Sequence, residues 1–174
     1  MATPVASSFR QQILTPLQAR QKIRRIAFEI YEQNFEESGV VIAGIVGEGY
    51  AFAQRLVEEL REISPLKTTL IEVRFDKSLA YQSPIAFGGE DVALDGQVVV
   101  VVDDVLNTGR TLAFALQPFL KVPIKKLQVA VIVDRNHRCF PVSADYVGYS
   151  LSTTFNEHVK VVLSDPEQEG VYLQ

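Results

Sequence analysis

Residues 98–111 read VVVVVDDVLNTGRT, and this stretch decides the fold. Five consecutive valines without polar alternation predict a strand buried on both faces, as at the centre of a parallel sheet. Asp103 and Asp104 follow where the valines end, and residues 112–120 predict the next helix. Because ligands of open α/β sheets bind at the carboxyl ends of the strands, we expect the functional site directly after the valines.

The residues behind the two acids suit a sugar phosphate. The loop contains Asn107, Thr108, Gly109, Arg110 and Thr111. It offers backbone N–H groups and hydroxyls at a helix start, where phosphate binds well. The neighbouring carboxylates can accept hydrogen bonds from sugar hydroxyls. The stretch therefore predicts a site for a ribose 5′-phosphate, and the spacing of acids and loop argues against an ordinary strand and polar turn.

Other phosphate motifs are absent from the sequence. No Gly-x-x-x-x-Gly-Lys-Ser/Thr occurs, and no Gly-x-Gly-x-x-Gly follows a predicted strand. A phospho-accepting receiver domain also has an acid pair after a strand, but near its N-terminus and without this loop. The sequence thus argues against these three classes.

Composition and charge further narrow the class of protein. The 174 residues suit one domain, with 47% apolar and 22% charged residues, and no apolar run approaches the ~20 residues of a membrane span. The N-terminus lacks the pattern of a signal peptide, and a lone cysteine, Cys139, fits a reducing compartment. We therefore expect a cytoplasmic location. The net charge of −4 gives no general attraction to nucleic acid.

The rest of the chain alternates strand and helix patterns, and we divide it into a mobile tail over residues 1–12 and one domain over residues 13–174. Thr15 and Pro16 are a good helix start. Predicted helices cover about residues 15–35, 50–63 and 112–120, and predicted strands cover residues 41–45, 68–75, 98–102 and 127–133, with further ordered pieces at 144–148 and 158–163. The long segment 76–95 lacks helical periodicity and is a candidate lid. This alternation predicts an α/β fold with a mainly parallel sheet.

Three stretches carry a family resemblance. Residues 103–111 resemble the phosphoribosyl-pyrophosphate (PRPP) motif of type I phosphoribosyltransferases. Residues 129–138, VAVIVDRNHR, and residues 144–148, ADYVG, after Pro141 are similar to the pyrimidine-operon regulator/uracil phosphoribosyltransferase family. The similarity covers roughly residues 12–165. It implies the type I phosphoribosyltransferase fold, with a mainly parallel central sheet flanked by helices and a small hood.

The resemblance also implies ligands and partners. It implies a PRPP site with Mg²⁺, a uracil or UMP pocket, and a homodimer or larger homo-oligomer, and some family members bind messenger RNA. The Mg²⁺ ion would be held mainly by PRPP, close to Asp103, with no direct protein ligand. Asp103 and Asp104 would hold the ribose 2′- and 3′-hydroxyls, and residues 107–111 would surround the 5′-phosphate.

For the base, the resemblance implies three positions. Tyr146 would stack on it, the backbone of Val147 would hydrogen-bond its edge, and Arg135 would flank the pocket. A core aromatic with its hydroxyl at the surface is the alternative for Tyr146. The pyrophosphate loop would contain Gly47, Glu48 and Gly49.

Two departures from the family affect the leaving group. The family's pyrophosphate loop has a Lys-Thr-Arg-Gly pattern, whereas this chain has Val46 followed by Gly47, Glu48 and Gly49. The family's lid begins with a Tyr-Arg-Asp-like string, but here Phe75, Asp76 and Lys77 occupy it, so that only Lys77 or Arg74 could supply the cation. Because charge builds up on the departing pyrophosphate, losing one donor costs roughly 10²- to 10³-fold in rate.

Three functional hypotheses follow. The first is an Mg²⁺-dependent transferase acting on a nucleobase, with uracil preferred because Asn107 stands where purine-type relatives carry an acid. The second is a weakly catalytic nucleotide or PRPP sensor, favoured by Glu48 and Asp76. The third, RNA regulation, needs a basic patch through Arg20, Arg24 and Arg25, and the net charge argues against it.

Overall fold

The computed structural model describes residues 11–79 and 83–174, and a six-stranded sheet forms its centre. The spatial order is β4-β3-β2-β5-β6-β7, and all neighbouring pairs are parallel except the antiparallel pair β3 and β4. The strands are β2 (Gly39–Ile45), β3 (Lys67–Arg74), β4 (Ala86–Gly89), β5 (Val98–Leu106), β6 (Lys126–Asp134) and β7 (Tyr146–Ser150). The predicted mainly parallel sheet is confirmed.

The valine strand β5 lies inside this sheet and is covered on both faces. Val98, Val100 and Val102 share one core cluster with helices α1 (Pro16–Asn34) and α2 (Glu48–Ile63). Val99 and Val101 pack into a second cluster with helix α3 (Arg110–Leu116). All five valines are at most 2% exposed, which explains why no polar residue alternates with them.

The helix boundaries follow local capping chemistry. Thr15 caps α1 through a reciprocal pair of hydrogen bonds with Gln18, and Pro16 occupies the first turn, as predicted. Helix α3 starts at Arg110 and ends at Leu116, earlier than the predicted 112–120. Pro118 lacks a backbone N–H and ends the regular helix. A separate 3-10 turn, Phe119–Lys121, follows it.

A small second sheet forms the predicted hood. Its strands β1 (Gln11–Leu14), β9 (Gly170–Leu173) and β8 (Val159–Val162) lie in that order and are antiparallel. Val161 and Val171 extend the core cluster of α1 and α2 into this sheet. The proposed tail 1–12 was too long, since residues 11 and 12 pair with β9. Residues 1–10 lie outside the described part of the chain.

Segment 76–95 contains more regular structure than the sequence predicted. Lys77–Leu79 form a 3-10 turn, and the four-residue strand β4 adds an edge to β3. Half of β4 is glycine, which hides strand periodicity. Residues 80–82 lie outside the described residues, and closure of this segment as a lid stays a prediction. Within the described ranges, no helix combines the length and apolarity that a membrane crossing needs.

Candidate active site

The two acids lie near the carboxyl end of β5, within the strand rather than after it. Asp103 pairs in register with Val131, and the strand continues to Leu106. Asp103 is 3% exposed, whereas Asp104 is half-buried. The Asp103 carboxylate accepts a hydrogen bond from the backbone N–H of Asp104 at 2.9 Å. One buried and one more accessible carboxylate therefore lie side by side.

The environment of Asp103 disfavours its charged form. Burial raises the pKa of its carboxyl well above the usual value, and the charge of Asp104 acts in the same direction. Lys77 opposes this shift, with its Nζ atom 3.7 Å from Asp103 Oδ1. Lys77 belongs to the 3-10 turn at the start of segment 76–95. A cation from that segment therefore lies above the acid pair.

Helix α2 begins in close contact with Asp103. A Cβ atom added to Gly49 would lie 2.9 Å from Asp103 Oδ1 and 3.1 Å from Asp103 Cα, so only glycine fits here. Gly47 precedes the helix at φ 93°, a conformation that favours glycine. The predicted pyrophosphate loop is thus adjacent to the acid pair, with two of its glycines required by geometry.

The carboxylate of Glu48, predicted to lie in the pyrophosphate loop, is bonded to another segment of the chain. Its Oε2 atom accepts hydrogen bonds from the backbone N–H groups of Leu163 at 2.7 Å and Ser164 at 3.2 Å. Its Oε1 atom accepts a hydrogen bond from the Ser164 hydroxyl. Both carboxylate oxygens are therefore engaged by the segment that follows β8. These partners lie 115 and 116 residues further along the chain, and a contact between the Glu48 backbone and phosphate stays a prediction.

The phosphate loop has the expected form at the start of α3. Gly109 is in the left-handed region, at φ 87° and ψ −2°, where a side chain would introduce strain. The carbonyl oxygen of Thr108 accepts hydrogen bonds from the N–H groups of Cys139 and Phe140, at 2.9 and 3.0 Å. The turn after β6 therefore holds the loop in place through two backbone hydrogen bonds. One concave surface is lined by Asp103, Asn107, Thr108, Gly109, Arg110 and Thr111, among others.

Arg135 joins the phosphate loop to the segment that follows β7. Its side chain donates to Asn107 Oδ1 at 2.8 Å, Thr153 Oγ1 at 2.9 Å and the carbonyl oxygen of Glu157 at 2.5 Å. Arg135 is only 7% exposed. The structure brings it to the predicted edge of the sheet, where it positions neighbouring groups.

A model of the phosphoribosyl transferase domain matches residues 10–166. The chain belongs to the phosphoribosyltransferase family. The bifunctional protein PyrR of Pelotomaculum thermopropionicum is 36% identical over 174 residues, covering 95% of this chain and 96% of that protein. PyrR of Streptococcus thermophilus is 33% identical over 161 residues, with 90% and 91% coverage. The predicted similarity to pyrimidine-operon regulators is confirmed.

Solved phosphoribosyltransferase structures confirm the fold. Hypoxanthine phosphoribosyltransferase from Trypanosoma cruzi, in complex with the product IMP, superposes with a TM-score of 0.77 at 18% identity, covering 98% of this chain and 97% of that chain. A hypoxanthine-guanine phosphoribosyltransferase from Bacillus anthracis gives a TM-score of 0.73 at 18% identity, covering 95% and 98%. The type I phosphoribosyltransferase fold is therefore shared with these enzymes.

The base-stacking role predicted for Tyr146 does not fit this phosphoribosyltransferase structure. Tyr146 is fully buried in the core. It pairs with Ala130, four residues before the carboxyl end of β6. Its hydroxyl lies 3.0 Å from Gln128 Oε1 and 3.2 Å from Gln33 Oε1, and desolvation raises its pKa to about 12. The alternative interpretation of Tyr146 as a core aromatic residue is correct, but its hydroxyl is buried and does not lie at the surface.

The backbone of Val147 was predicted to hydrogen-bond the edge of the base, but its carbonyl group already has a partner within the protein. Its carbonyl oxygen accepts a hydrogen bond from Arg25 Nη2 at 2.6 Å, and the same nitrogen reaches Gly148 at 3.0 Å. Strand β7 is the last strand of the sheet, so its outer carbonyl groups have no strand partner. Arg25 satisfies them, and the predicted base contact of Val147 is not supported.

The sequence analysis missed an exposed aromatic residue beside His137. Phe155 is 91% exposed, and its ring centroid lies 5.4 Å from that of His137. His137 Nε2 lies 2.6 Å from the carbonyl oxygen of Thr153, so this nitrogen carries the proton. Phe155 is the lone large apolar residue in the polar stretch STTFNE, residues 152–157, a signal that could have revealed it.

The basic residues of α1 are largely paired with acids. Arg20 contacts Glu169, Arg24 contacts Glu59 and Glu62, and Arg25 contacts Glu29. A phosphate backbone would have to compete with these carboxylates for the arginines. This arrangement argues against the basic patch that the RNA hypothesis needs.

Proposed function

We propose that this phosphoribosyltransferase transfers ribose 5-phosphate from PRPP to a nucleobase, with uracil as the preferred base and Mg²⁺ as the cofactor. The observation that carries the proposal is the meeting of three elements: the acid pair of β5, the phosphate loop of α3 and the glycine start of α2. A relative from Lactococcus lactis that is named pyrimidine operon regulatory protein, 34% identical to this chain, favours a pyrimidine over a purine.

Each element has a role in holding the substrate. Backbone N–H groups at residues 108–111 bind the 5′-phosphate. Asp104, and Asp103 behind it, accept hydrogen bonds from the ribose hydroxyls. The base nitrogen forms the new bond to C1′ and loses its proton to solvent while the C1′–O bond breaks toward α2. There, Gly47 and Gly49 let the backbone approach the departing pyrophosphate. The aromatic face of Phe155 supports the base on the opposite side of the ribose.

The residues present suit Mg²⁺ held mainly by the substrate. Among the described residues, no group of three His, Cys, Asp or Glu side chains could enclose a metal ion. Mg²⁺ keeps several of its waters and binds substrate phosphates, so PRPP would hold the ion close to Asp103. The ion would neutralise charge that develops on the leaving pyrophosphate.

Lys77 replaces the missing cations in this proposal. Its Nζ atom lies 3.7 Å from Asp103 Oδ1, the same oxygen that Gly49 of α2 approaches. The alternative cation, Arg74, pairs with Glu72 and packs against Gly88 on the outer edge of the sheet. The Asp76 carboxylate accepts hydrogen bonds from Ser78 and stabilises the turn that contains Lys77.

Replacing Lys77 with alanine is expected to lower kcat/KM for PRPP by roughly 10²-fold, the typical effect of losing one donor to developing charge. UMP binding should change much less, because UMP lacks the pyrophosphate. The measurements are steady-state kinetics and calorimetric titration. Arg74→Ala is the matched control and should behave like the unmodified protein. Equal losses in both variants would contradict the role of Lys77.

Removing the Phe155 ring is expected to weaken UMP binding by roughly tenfold, since base–aromatic stacking contributes about 1–3 kcal/mol. Phe155→Leu tests the aromatic surface separately from bulk. Because the ring is almost fully exposed, stability should change by at most about 0.5 kcal/mol. Unchanged UMP affinity in Phe155→Ala would place the base elsewhere.

The deciding experiment combines binding and turnover on one preparation. PRPP with Mg²⁺, and separately UMP, would be titrated by calorimetry, and uracil, hypoxanthine and guanine would then be assayed as acceptors. UMP formation from PRPP supports the proposal. Turnover of a purine alone would overturn the assigned base, and binding of neither ligand would overturn the function.

A nucleotide sensor is the second candidate, favoured by Glu48. Its carboxylate ties the start of α2 to the hood, in place of a cation directed at pyrophosphate. Binding of a nucleoside monophosphate needs no such cation. UMP binding without turnover in the same experiment would identify a sensor.

We also propose that the protein forms a homodimer or larger homo-oligomer and acts in the cytoplasm. The similarity to pyrimidine-operon regulators and the single exposed cysteine support this. Light scattering of the purified chain measures the assembly.

A further inference from the structure

We propose that Glu48 is a positioning residue for the leaving pyrophosphate: its carboxylate fixes the start of helix α2 to the hood, and so holds the backbone N–H groups of Glu48 and Gly49 in place for the ligand. This inference rests on the proposed function and deepens it, because it names what holds the leaving group, beside Lys77, where the loop has no cation. The role is indirect, since the carboxylate acts through the backbone that it fixes.

The start of α2 leaves two backbone donors for a ligand. The N–H groups of Tyr50 and Ala51 donate to the carbonyl oxygen of Gly47, at 3.1 and 3.2 Å. The N–H groups of Glu48 and Gly49 come too early in the helix to have a carbonyl partner within it. Gly47 has no side chain that could cap them, and a Cβ atom added to it would meet nothing within 4 Å. The start of the helix therefore borders open space, where its dipole favours an anion.

The carboxylate of Glu48 is kept away from these donors. An acidic side chain in the first turn could itself bind near the helix N-terminus, where negative charge is favourable. Instead, both oxygens of Glu48 accept hydrogen bonds from the hood, from the N–H groups of Leu163 and Ser164 and from the Ser164 hydroxyl. Glu48 therefore does not compete with an anionic ligand for the start of its own helix.

The segment of the hood that binds Glu48 is itself fixed. Leu163 is 4% exposed, and its carbonyl oxygen accepts a hydrogen bond from Arg55 Nη2 at 2.7 Å. On the other side of the contact, Gly47 joins β2 to α2 at φ 93°, and glycine has access to many backbone conformations. Glu48 therefore restrains a helix start that the preceding glycine alone would leave free to move.

Two substitutions of Glu48 separate positioning from charge. Glu48→Ala removes all three hydrogen bonds together with the negative charge. Glu48→Gln also removes the charge, but its amide oxygen can accept from both N–H groups and its NH₂ group can donate to the Ser164 hydroxyl. If Glu48 acted on pyrophosphate by charge repulsion, both variants would bind pyrophosphate more tightly. If Glu48 acts by positioning, only the alanine variant loses affinity.

The test compares a ligand that contains pyrophosphate with one that does not. Calorimetric titrations with pyrophosphate plus Mg²⁺, and separately with UMP, are performed on the full chain and its variants. Glu48→Ala should weaken pyrophosphate binding and lower kcat/KM for PRPP by roughly 10- to 100-fold, since a misplacement of about 1 Å can cost about 100-fold. UMP affinity and the KM for uracil should stay the same. Glu48→Gln should retain most of the pyrophosphate affinity.

Two further variants complete the test. Glu58→Gln is the matched control for charge, because Glu58 is an exposed glutamate of the same helix, and it should leave pyrophosphate binding unchanged. Ser164→Ala removes only the hydroxyl contact with Glu48 and should give a smaller loss of pyrophosphate affinity in the same direction. It provides the test if Glu48→Ala does not fold, which thermal unfolding shows.

Three outcomes would overturn the inference while the proposed function stands. Unchanged or tighter pyrophosphate binding in Glu48→Ala would show that the contact with the hood does not position the leaving group. Equal losses for pyrophosphate and UMP would show that the contact only stabilises the fold. Equal losses in the alanine and glutamine variants would assign the effect to the charge. If the unmodified chain binds UMP but neither binds pyrophosphate nor turns over PRPP, the inference and the proposed transferase activity both fail.

Discussion

Asp103→Asn is expected to impair function and to stabilise the ligand-free protein. A hydrogen bond to a charged group contributes about 1.5–3 kcal/mol, so UMP affinity should fall by roughly 10- to 100-fold. The free energy of unfolding at neutral pH should rise, because the buried carboxylate no longer has to ionise. Asparagine retains an oxygen that can accept the hydrogen bond from the Asp104 N–H.

The stabilisation should depend on pH in a defined direction. The pKa of Asp103 is higher in the folded protein than in the unfolded chain, where it is about 3.9. Between these two values the folded state binds more protons, so stability falls as pH rises. The advantage of Asp103→Asn should therefore be absent below the unfolded value and complete above the raised folded value.

Thermal unfolding at about pH 4 and about pH 8 measures this difference. Asp95→Asn is a suitable control, because Asp95 is exposed and the chemical change is the same. A destabilised Asp103→Asn variant at both pH values would mean that the ion pair with Lys77 outweighs the cost of burial.

Glu169→Gln is expected to lower the free energy of unfolding by about 3 kcal/mol, the lower end of the range for breaking a buried ion pair. The Glu169 side chain is 3% exposed and contacts both Arg20 and Arg55. Arg55 also donates to the carbonyl oxygen of Leu163, so this cluster attaches the hood sheet to helix α2. Chemical denaturation gives the free energy.

The pH dependence of this variant should have the opposite sign. Burial tends to raise the pKa of Glu169, but the hydrogen bonds and charges of Arg55 and Arg20 outweigh burial and lower it. The stability from Glu169 is present above its unfolded value, about 4.3, and is lost as pH falls through the folded value. The deficit of Glu169→Gln should therefore shrink in acid.

Arg20→Gln is the matched control for Glu169→Gln. The Arg20 side chain is 64% exposed, and exposed ion pairs contribute at most about 1 kcal/mol. Equal losses in the two variants would contradict the central role of the buried carboxylate and would assign the stability to Arg20 instead.

Much of the site could be read from local sequence. The valine strand, the acid pair and the phosphate loop lie within residues 98–111, and the structure keeps them together on β5 and α3. Their arrangement depends on short-range rules: burial excludes polar alternation, and Gly109 permits the left-handed turn. The predicted cap at Thr15 is confirmed for the same reason.

Tertiary structure decided the roles that depend on distant partners. Tyr146 became a core residue because its hydroxyl meets Gln33 and Gln128 from other elements. Glu48 became a structural tie because the backbone of Leu163 approaches it. The spacing of residues along the chain does not predict these long-range contacts.

The sequence by itself determined the fold class, the phosphoribosyltransferase family and the acid pair with the loop that follows it, since these depend on neighbouring residues. Only the tertiary structure separated Lys77 from Arg74, oriented Asn107 through Arg135 and exposed Phe155. Each of these outcomes depends on where a side chain lies, and packing between distant segments sets that position.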